Sequence, residues 1–223
     1  MSIQYYSGFF EVALPAQLIE LLRNDIIDRK SIAVIAGYGN WLPNEDPKVD
    51  LNFAKDVWFD PAGIVFDEYY LIDSHIPKEK AHILLRNASV ILLQGGYTTL
   101  QNVFLAEYEL AAPIKESNAA VIIGISAGAK NMAAKFVCAK SNGNAIDKNG
   151  IYNGLGLNNF CYEPYFSLDN DELIRDELFP LSQELDIYAT SNRSFMRVQD
   201  GKTLTFGDTY LISGSKIHKI EVI

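Results

Sequence analysis

Apolar and polar positions along this 223-residue chain follow two alternating periods. Ser31–Ala36 (SIAVIA), Ser89–Gln94 (SVILLQ) and Ala119–Ile125 (AAVIIGI) are short apolar runs, the pattern of parallel strands buried on both faces. Val65–Asp73 reads as a further strand, second in chain order. Between them, apolar residues recur at helical spacing. Leu14, Leu18, Leu21, Leu22 and Ile26 mark a helix over Leu14–Asp28. Pro77–Ala88, Thr98–Ala111 and the small-residue stretch Ala127–Lys140 also read as helices, and Thr98 with Gln101 has capping-box spacing. Another helix begins at Asp169, with Glu172 at the same spacing, and runs to about Pro180. Tyr38–Asp60 is less regular, with helix within Val49–Phe59.

The last forty residues change period. Ile187–Thr190, Ser194–Val198, Thr203–Phe206, Tyr210–Ile212 and Lys216–Val222 are short β-like runs. Asp200-Gly201 and Ser213-Gly214-Ser215 supply the turns between them. The expected fold is therefore α/β: a flavodoxin-like, mostly parallel sheet with helices on both faces, carrying C-terminal antiparallel hairpins. The whole of 1–223 reads as one domain, with 187–223 as a hairpin extension of its main sheet.

Composition narrows the function. Lys plus Arg number 19 and Asp plus Glu 28, a formal net charge of −9. With no Lys/Arg cluster to offset it, this argues against nucleic-acid binding, which needs a basic face. The N-terminus lacks the pattern of a secretory signal, and no apolar run approaches the length of a membrane span, so the expected location is cytoplasmic and no membrane contact is expected. Cys138 and Cys161 have no metal-ligand spacing and read as reduced core thiols. With only His75, His82 and His218 to help, no metal site is expected. Gly37-Tyr38-Gly39-Asn40 resembles the start of a dinucleotide loop, but Leu42 and Pro43 stand where a third glycine belongs, and no cofactor is expected. Phe9, Phe10, Trp41 and Trp58 suit either a core or a homodimer interface.

The chemistry concentrates at Gly124-Ile125-Ser126-Ala127-Gly128-Ala129. This G-x-S-x-G lies where an apolar strand gives way to a helix, the setting of a nucleophile elbow. Small neighbours let the strand and helix approach closely, and the helix that follows aims its N-terminal amides at the serine. The amide of Ala127 is one candidate oxyanion donor. A second glycine pair, Gly95-Gly96, ends the preceding strand. If the two strands are neighbours, an amide of that turn is the other donor. Each motif alone also reads as an ordinary strand-to-helix turn.

Together these residues resemble the aspartyl dipeptidase and cyanophycinase family of serine peptidases, within the class I glutamine-amidotransferase-like fold. The resemblance runs through Ile91–Leu105, Val121–Ala133, Gly154–Leu173 and the closing hairpins. It implies Ser126 as nucleophile, an oxyanion hole from Gly95, Gly96 and Ala127, small peptides as substrates, and no metal or organic cofactor. It also implies a histidine where this chain has Tyr165, in Glu163-Pro164-Tyr165-Phe166. A phenol, with an ordinary pKa near ~10, stays protonated at pH 7 and cannot take a proton from serine as imidazole does. Loss of the triad histidine in a serine protease lowers turnover on the order of 10⁶-fold. The acidic triad position falls near Asn192-Arg193-Ser194, which holds no carboxylate. His75 sits at the functional end of the sheet but on an edge strand, too far from Ser126. Glu163 is a substitute base if its pKa is raised. Two functions stay open: a serine-type dipeptidase-like hydrolase with a rearranged base, and an inactive relative that binds a small peptide or amino-acid-like ligand.

Overall fold

The computed structural model describes residues 2–37, 49–138 and 150–220. The expectations resting on Tyr38–Pro43, the end of the helix drawn to Lys140, and Val222 lie outside the described residues.

The first half of the chain builds an open sheet. Its strands are β1 (Ile3–Ser7), β2 (Ser31–Ile35), β3 (Glu68–Ile72), β4 (Val90–Leu93) and β5 (Val121–Ile125). They are parallel and lie in the order β1-β5-β4-β2-β3. Every residue of β2, β4 and β5 is buried, which is why these strands are apolar at consecutive positions rather than alternate ones. Helices α1 (Ala16–Asp25) and α2 (Val49–Phe53) are followed in the chain by α3 (Lys78–Asn87), α4 (Thr98–Glu107), α5 (Ala111–Lys115) and α6 (Ala127–Met132). A π-helical turn, Ala54–Phe59, extends α2. Two apolar clusters fill the faces of the sheet. One gathers Leu18, Leu22, Trp58 and Phe59, the other Leu85, Phe104, Leu105 and Met132.

The second half adds β6 (Lys135–Cys138), β7 (Gly150–Asn153), β8 (Cys161–Pro164) and β9 (Ile187–Thr190). The hairpins β10 (Phe195–Gln199)–β11 (Lys202–Phe206) and β12 (Thr209–Ser213)–β13 (Lys216–Ile220) follow. The β10–β11 hairpin joins the main sheet, antiparallel to β1. The β12–β13 hairpin does not. It belongs to a second sheet of order β13-β12-β9-β8-β6-β7, packed with the π-helical segment Leu173–Leu178 around Val137, Leu178, Ile187 and Ile212. The architecture is thus the expected mixed α/β fold with antiparallel C-terminal strands, built as two sheets rather than one.

Three local expectations are corrected. The helix drawn over Ala127–Lys140 stops at Met132, and Lys135–Cys138 is a strand. The Phe136-Val137 pair favours a pleated, buried surface over another helical turn. Thr98 is not a cap: Tyr97 occupies that position, and Gln101 spends its side chain on the carbonyls of Ala36 and Gln94. Asp169 does not cap the helix with Glu172 as partner: Asn170 takes the place, its Oδ1 accepting from the Leu173 amide. The turns came as expected, with Asp200 and Gly201 at φ 50° and 75° and Gly214 and Ser215 at φ 54° and 60°.

Candidate active site

Ser126 joins β5 to α6 at φ 51°, ψ −108°. This is a positive-φ backbone, outside the left-handed helical region, that non-glycine residues adopt only under constraint. Its amide donates to the Ser7 carbonyl at 2.7 Å, and its carbonyl accepts from the Lys130 amide at 3.0 Å, so strand and helix both pin the turn. The crowding explains the small residues. A Cβ on Gly128 would lie 2.1 Å from the Leu93 carbonyl oxygen, and one on Gly124 would lie 2.4 Å from Met132 Sδ.

β4 and β5 are neighbours, in register from Val90 opposite Val121 to Leu93 opposite Gly124. The Gly95–Gly96 turn therefore meets the elbow: a Cβ on Gly95 would sit 3.4 Å from that of Ser126. The Gly95 amide donates to Gln94 Oε1 at 3.3 Å, whereas Gly96 faces the cavity beside Ser126. Ala127, first residue of α6, has no intrahelical acceptor for its amide. A buried amide network holds the two turns in place. Gln101 binds the Ala36 and Gln94 carbonyls, and Asn131 donates to the Thr98 carbonyl and to Gln101 Oε1.

The cavity at Ser126 holds about 240 Å³ and is lined by Gly96, Ser126, Lys130, Glu163, Tyr165 and Asn170, among others. Its floor is ionic. Lys130 Nζ lies 2.7 Å from Glu163 Oε2, with both side chains almost wholly buried, and donates to the Val137 carbonyl at 3.0 Å. Burial pushes the Glu163 carboxyl above its ordinary value, against the opposing pull of Lys130. Glu177 lies behind it, also buried. Its two carboxylate oxygens have no hydrogen-bond partner, and burial together with the Glu163 charge raises its pKa.

Tyr165 lines the same cavity at φ 60° and is 46% exposed. Its hydroxyl accepts a hydrogen bond from the Phe9 amide. None of the three imidazoles lines the cavity. His75 is bound to Asp73 next to the edge strand β3, His82 contacts the Tyr108 carbonyl, and His218 is exposed on β13. Asn192 and Arg193 lie on the other side of Tyr165, in a separate cavity with Phe9 and Phe10. Cys138 and Cys161 are buried and unbridged, and burial pushes their thiols up to about 11 and about 12. No group of His, Cys, Asp and Glu among the described residues could hold a metal ion. The structure thus brings Ser126, Gly95, Gly96, Ala127, Glu163 and Tyr165 to one end of the sheet. Sequence reasoning missed Lys130. Its spacing from Ser126, one helical turn, was the available signal.

Residues 58–208 match the model of Peptidase family S51, about two thirds of the chain. The chain belongs to this family. Among solved structures, this S51 member is similar to a peptidase from an acI-B1 Actinobacterium, with a TM-score of 0.73 and 16% identity over 100% of this chain and 95% of that one. It is also similar to a putative peptidase E protein from Listeria monocytogenes EGD-e, with a TM-score of 0.62 and 17% identity over 93% of this chain and 98% of that one. At such identities the likeness concerns the fold. No curated protein sequence matches the chain. No helix among its described residues is long and apolar enough to cross a membrane.

Proposed function

We propose that this S51 member is a serine-type hydrolase of small peptides in which a buried carboxylate, Glu163, replaces the missing imidazole. The observation that carries the reading is the strained Ser126 turn opening onto the cavity that Glu163 also lines. A volume of about 240 Å³ suits a ligand of one or two residues. In the proposed reaction Ser126 Oγ attacks the peptide carbonyl and its proton passes to Glu163. The Gly96 and Ala127 amides hold the oxyanion, and Gly95, already engaged by Gln94, is the weaker donor. Protonated Glu163 then protonates the leaving amine, and water releases the acyl group by the same route. A carboxylate is a poorer base than imidazole at pH 7, so turnover is slow, and it rises as pH passes upward through the raised Glu163 pKa.

A second reading rests on the Tyr165 hydroxyl being committed to Phe9: the pocket binds a small peptide or amino-acid-like ligand without turnover. A fluorophosphonate probe separates the two. Under the first reading the parent labels at Ser126, Ser126→Ala does not label, and Glu163→Gln slows labelling by roughly 10²- to 10⁴-fold. A folded parent that never labels leaves only the second.

A further inference from the structure

Six non-glycine residues of the described chain have positive φ: Glu109, Ser126, Tyr165, Arg193, Asp200 and Ser215. Asp200 and Ser215 belong to hairpin turns that require it, and Glu109 ends a helix. The other three meet around Tyr165. Ser126 and Tyr165 line one cavity, and Tyr165 and Arg193 line the next, which holds about 480 Å³. Arg193 takes its positive φ at the third position of the Ser191–Ser194 turn, whereas Ser126 and Tyr165 carry theirs at the cavity itself.

Arg193 is held firmly at φ 63°. Across its turn the Ser194 amide donates to the Ser191 carbonyl at 3.2 Å, and the two serine hydroxyls lie 3.0 Å apart. The Ser191 amide donates to the Asp208 carbonyl at 3.0 Å. Yet among the described residues the guanidinium itself has no hydrogen bond and no ion pair, in a chain of net charge −9. Glu11 lines the same cavity and does not pair with it. The other walls are Phe9, Phe10, Val12, Asn192 and Tyr165. Arg193 is exposed, and a planar cation without a protein partner, carried on a held backbone beside aromatic walls, is suited to a planar anion that arrives from solvent; the fork of an arginine matches a carboxylate.

We propose that Arg193 binds the free C-terminal carboxylate of a short peptide whose scissile carbonyl lies at Ser126, with the chain passing over the Tyr165 ring. This rests on the reading of Ser126 as a peptide site and adds to it which end of the peptide is read. Glu11 disfavours a second negative charge in the cavity, so the C-terminal residue is neutral or basic.

Calorimetry on the Ser126→Ala protein tests this without turnover. Alanyl-alanine binds, and alanyl-alanine amide binds roughly 10- to 100-fold more weakly, the loss expected for a charge-assisted contact. Arg193→Gln weakens the free acid to the level of the amide and leaves the amide unchanged. Alanyl-glutamate binds more weakly than alanyl-alanine, and Glu11→Gln narrows that gap. Arg193→Gly, which suits the positive φ, keeps the fold and shows the same loss as the glutamine variant. Equal binding of acid and amide, or an Arg193→Gln variant that still prefers the acid, overturns the inference and leaves the peptide site standing. Binding of neither dipeptide overturns it too. Fluorophosphonate labelling of the parent then decides separately whether Ser126 remains a reactive centre.

Discussion

The phenolic oxygen of Tyr165 accepts the Phe9 amide hydrogen at 2.5 Å. Tyr165 is thereby a strut between the loops after β8 and β1, and on the proposed reading it stands where a base would face Ser126. Replacing the strut with imidazole restores a base while removing a tie. Tyr165→His is expected to raise dipeptide turnover by roughly 10²-fold or more. Release of product followed by chromatography is the check. An unchanged rate means that the ring, with Asn192 rather than a carboxylate nearby, is left unoriented, and Asn192→Asp added to Tyr165→His then supplies the missing partner.

Gly8 makes room for that strut. A Cβ there would lie 2.8 Å from Tyr165 Cε1. Gly8→Ala forces the ring or the loop to move, with an expected cost of about 1–3 kcal/mol in denaturant unfolding. The penalty should shrink when Tyr165→Ala is added, since the two groups that collide are then no longer both present.

The buried pair under the pocket makes a sharper stability prediction. Lys130→Met leaves the Glu163 carboxyl unpaired where both side chains were nearly inaccessible. The expected loss is about 3–5 kcal/mol. Removing both charges, as in Lys130→Met with Glu163→Leu, should recover most of it. Urea unfolding of the two single variants and the double variant measures the coupling.

Glu177 fixes a pH dependence. Its carboxyl titrates above its ordinary value of 4.5 because it is buried near Glu163, with Lys130 pulling the other way. A folded-state pKa above the unfolded one gives a contribution that is whole below the unfolded pKa and is lost as pH rises through the folded one. Glu177→Gln should therefore gain on the parent as pH rises from about 4 to 8. Thermal unfolding across that range is the measurement, and a constant difference between the two proteins refutes it.

The strands that were legible in the sequence are those buried on both faces, where β2, β4 and β5 leave no polar position to confuse the period. β1 was not legible. Its buried residues are Tyr5, Tyr6 and Ser7, types that also occur at surfaces, although it lies in the middle of the sheet. The over-long helix after Ser126 had the same origin, since Ala133 and Ala134 carry little information about period. At the site, local motifs announced Ser126 and the glycine turn. The Lys130–Glu163 pair and the Phe9–Tyr165 bond join residues 33 and 156 positions apart, and spacing alone cannot announce such contacts.

β1 also sets an order of events. It pairs with residues 121–125 on one side and 195–198 on the other, and its Ser7 carbonyl receives the Ser126 amide. On a ribosome this strand emerges before either of its neighbours and waits for residues 195–198 before both its edges are covered. Contacts of such long separation form slowly, and an uncovered strand edge invites pairing with other chains. The Ser126 turn is therefore completed late. A nascent chain carries its serine without the frame that strains it, and a chain interrupted before residue 195 is left with a sticky edge where a seam should have closed.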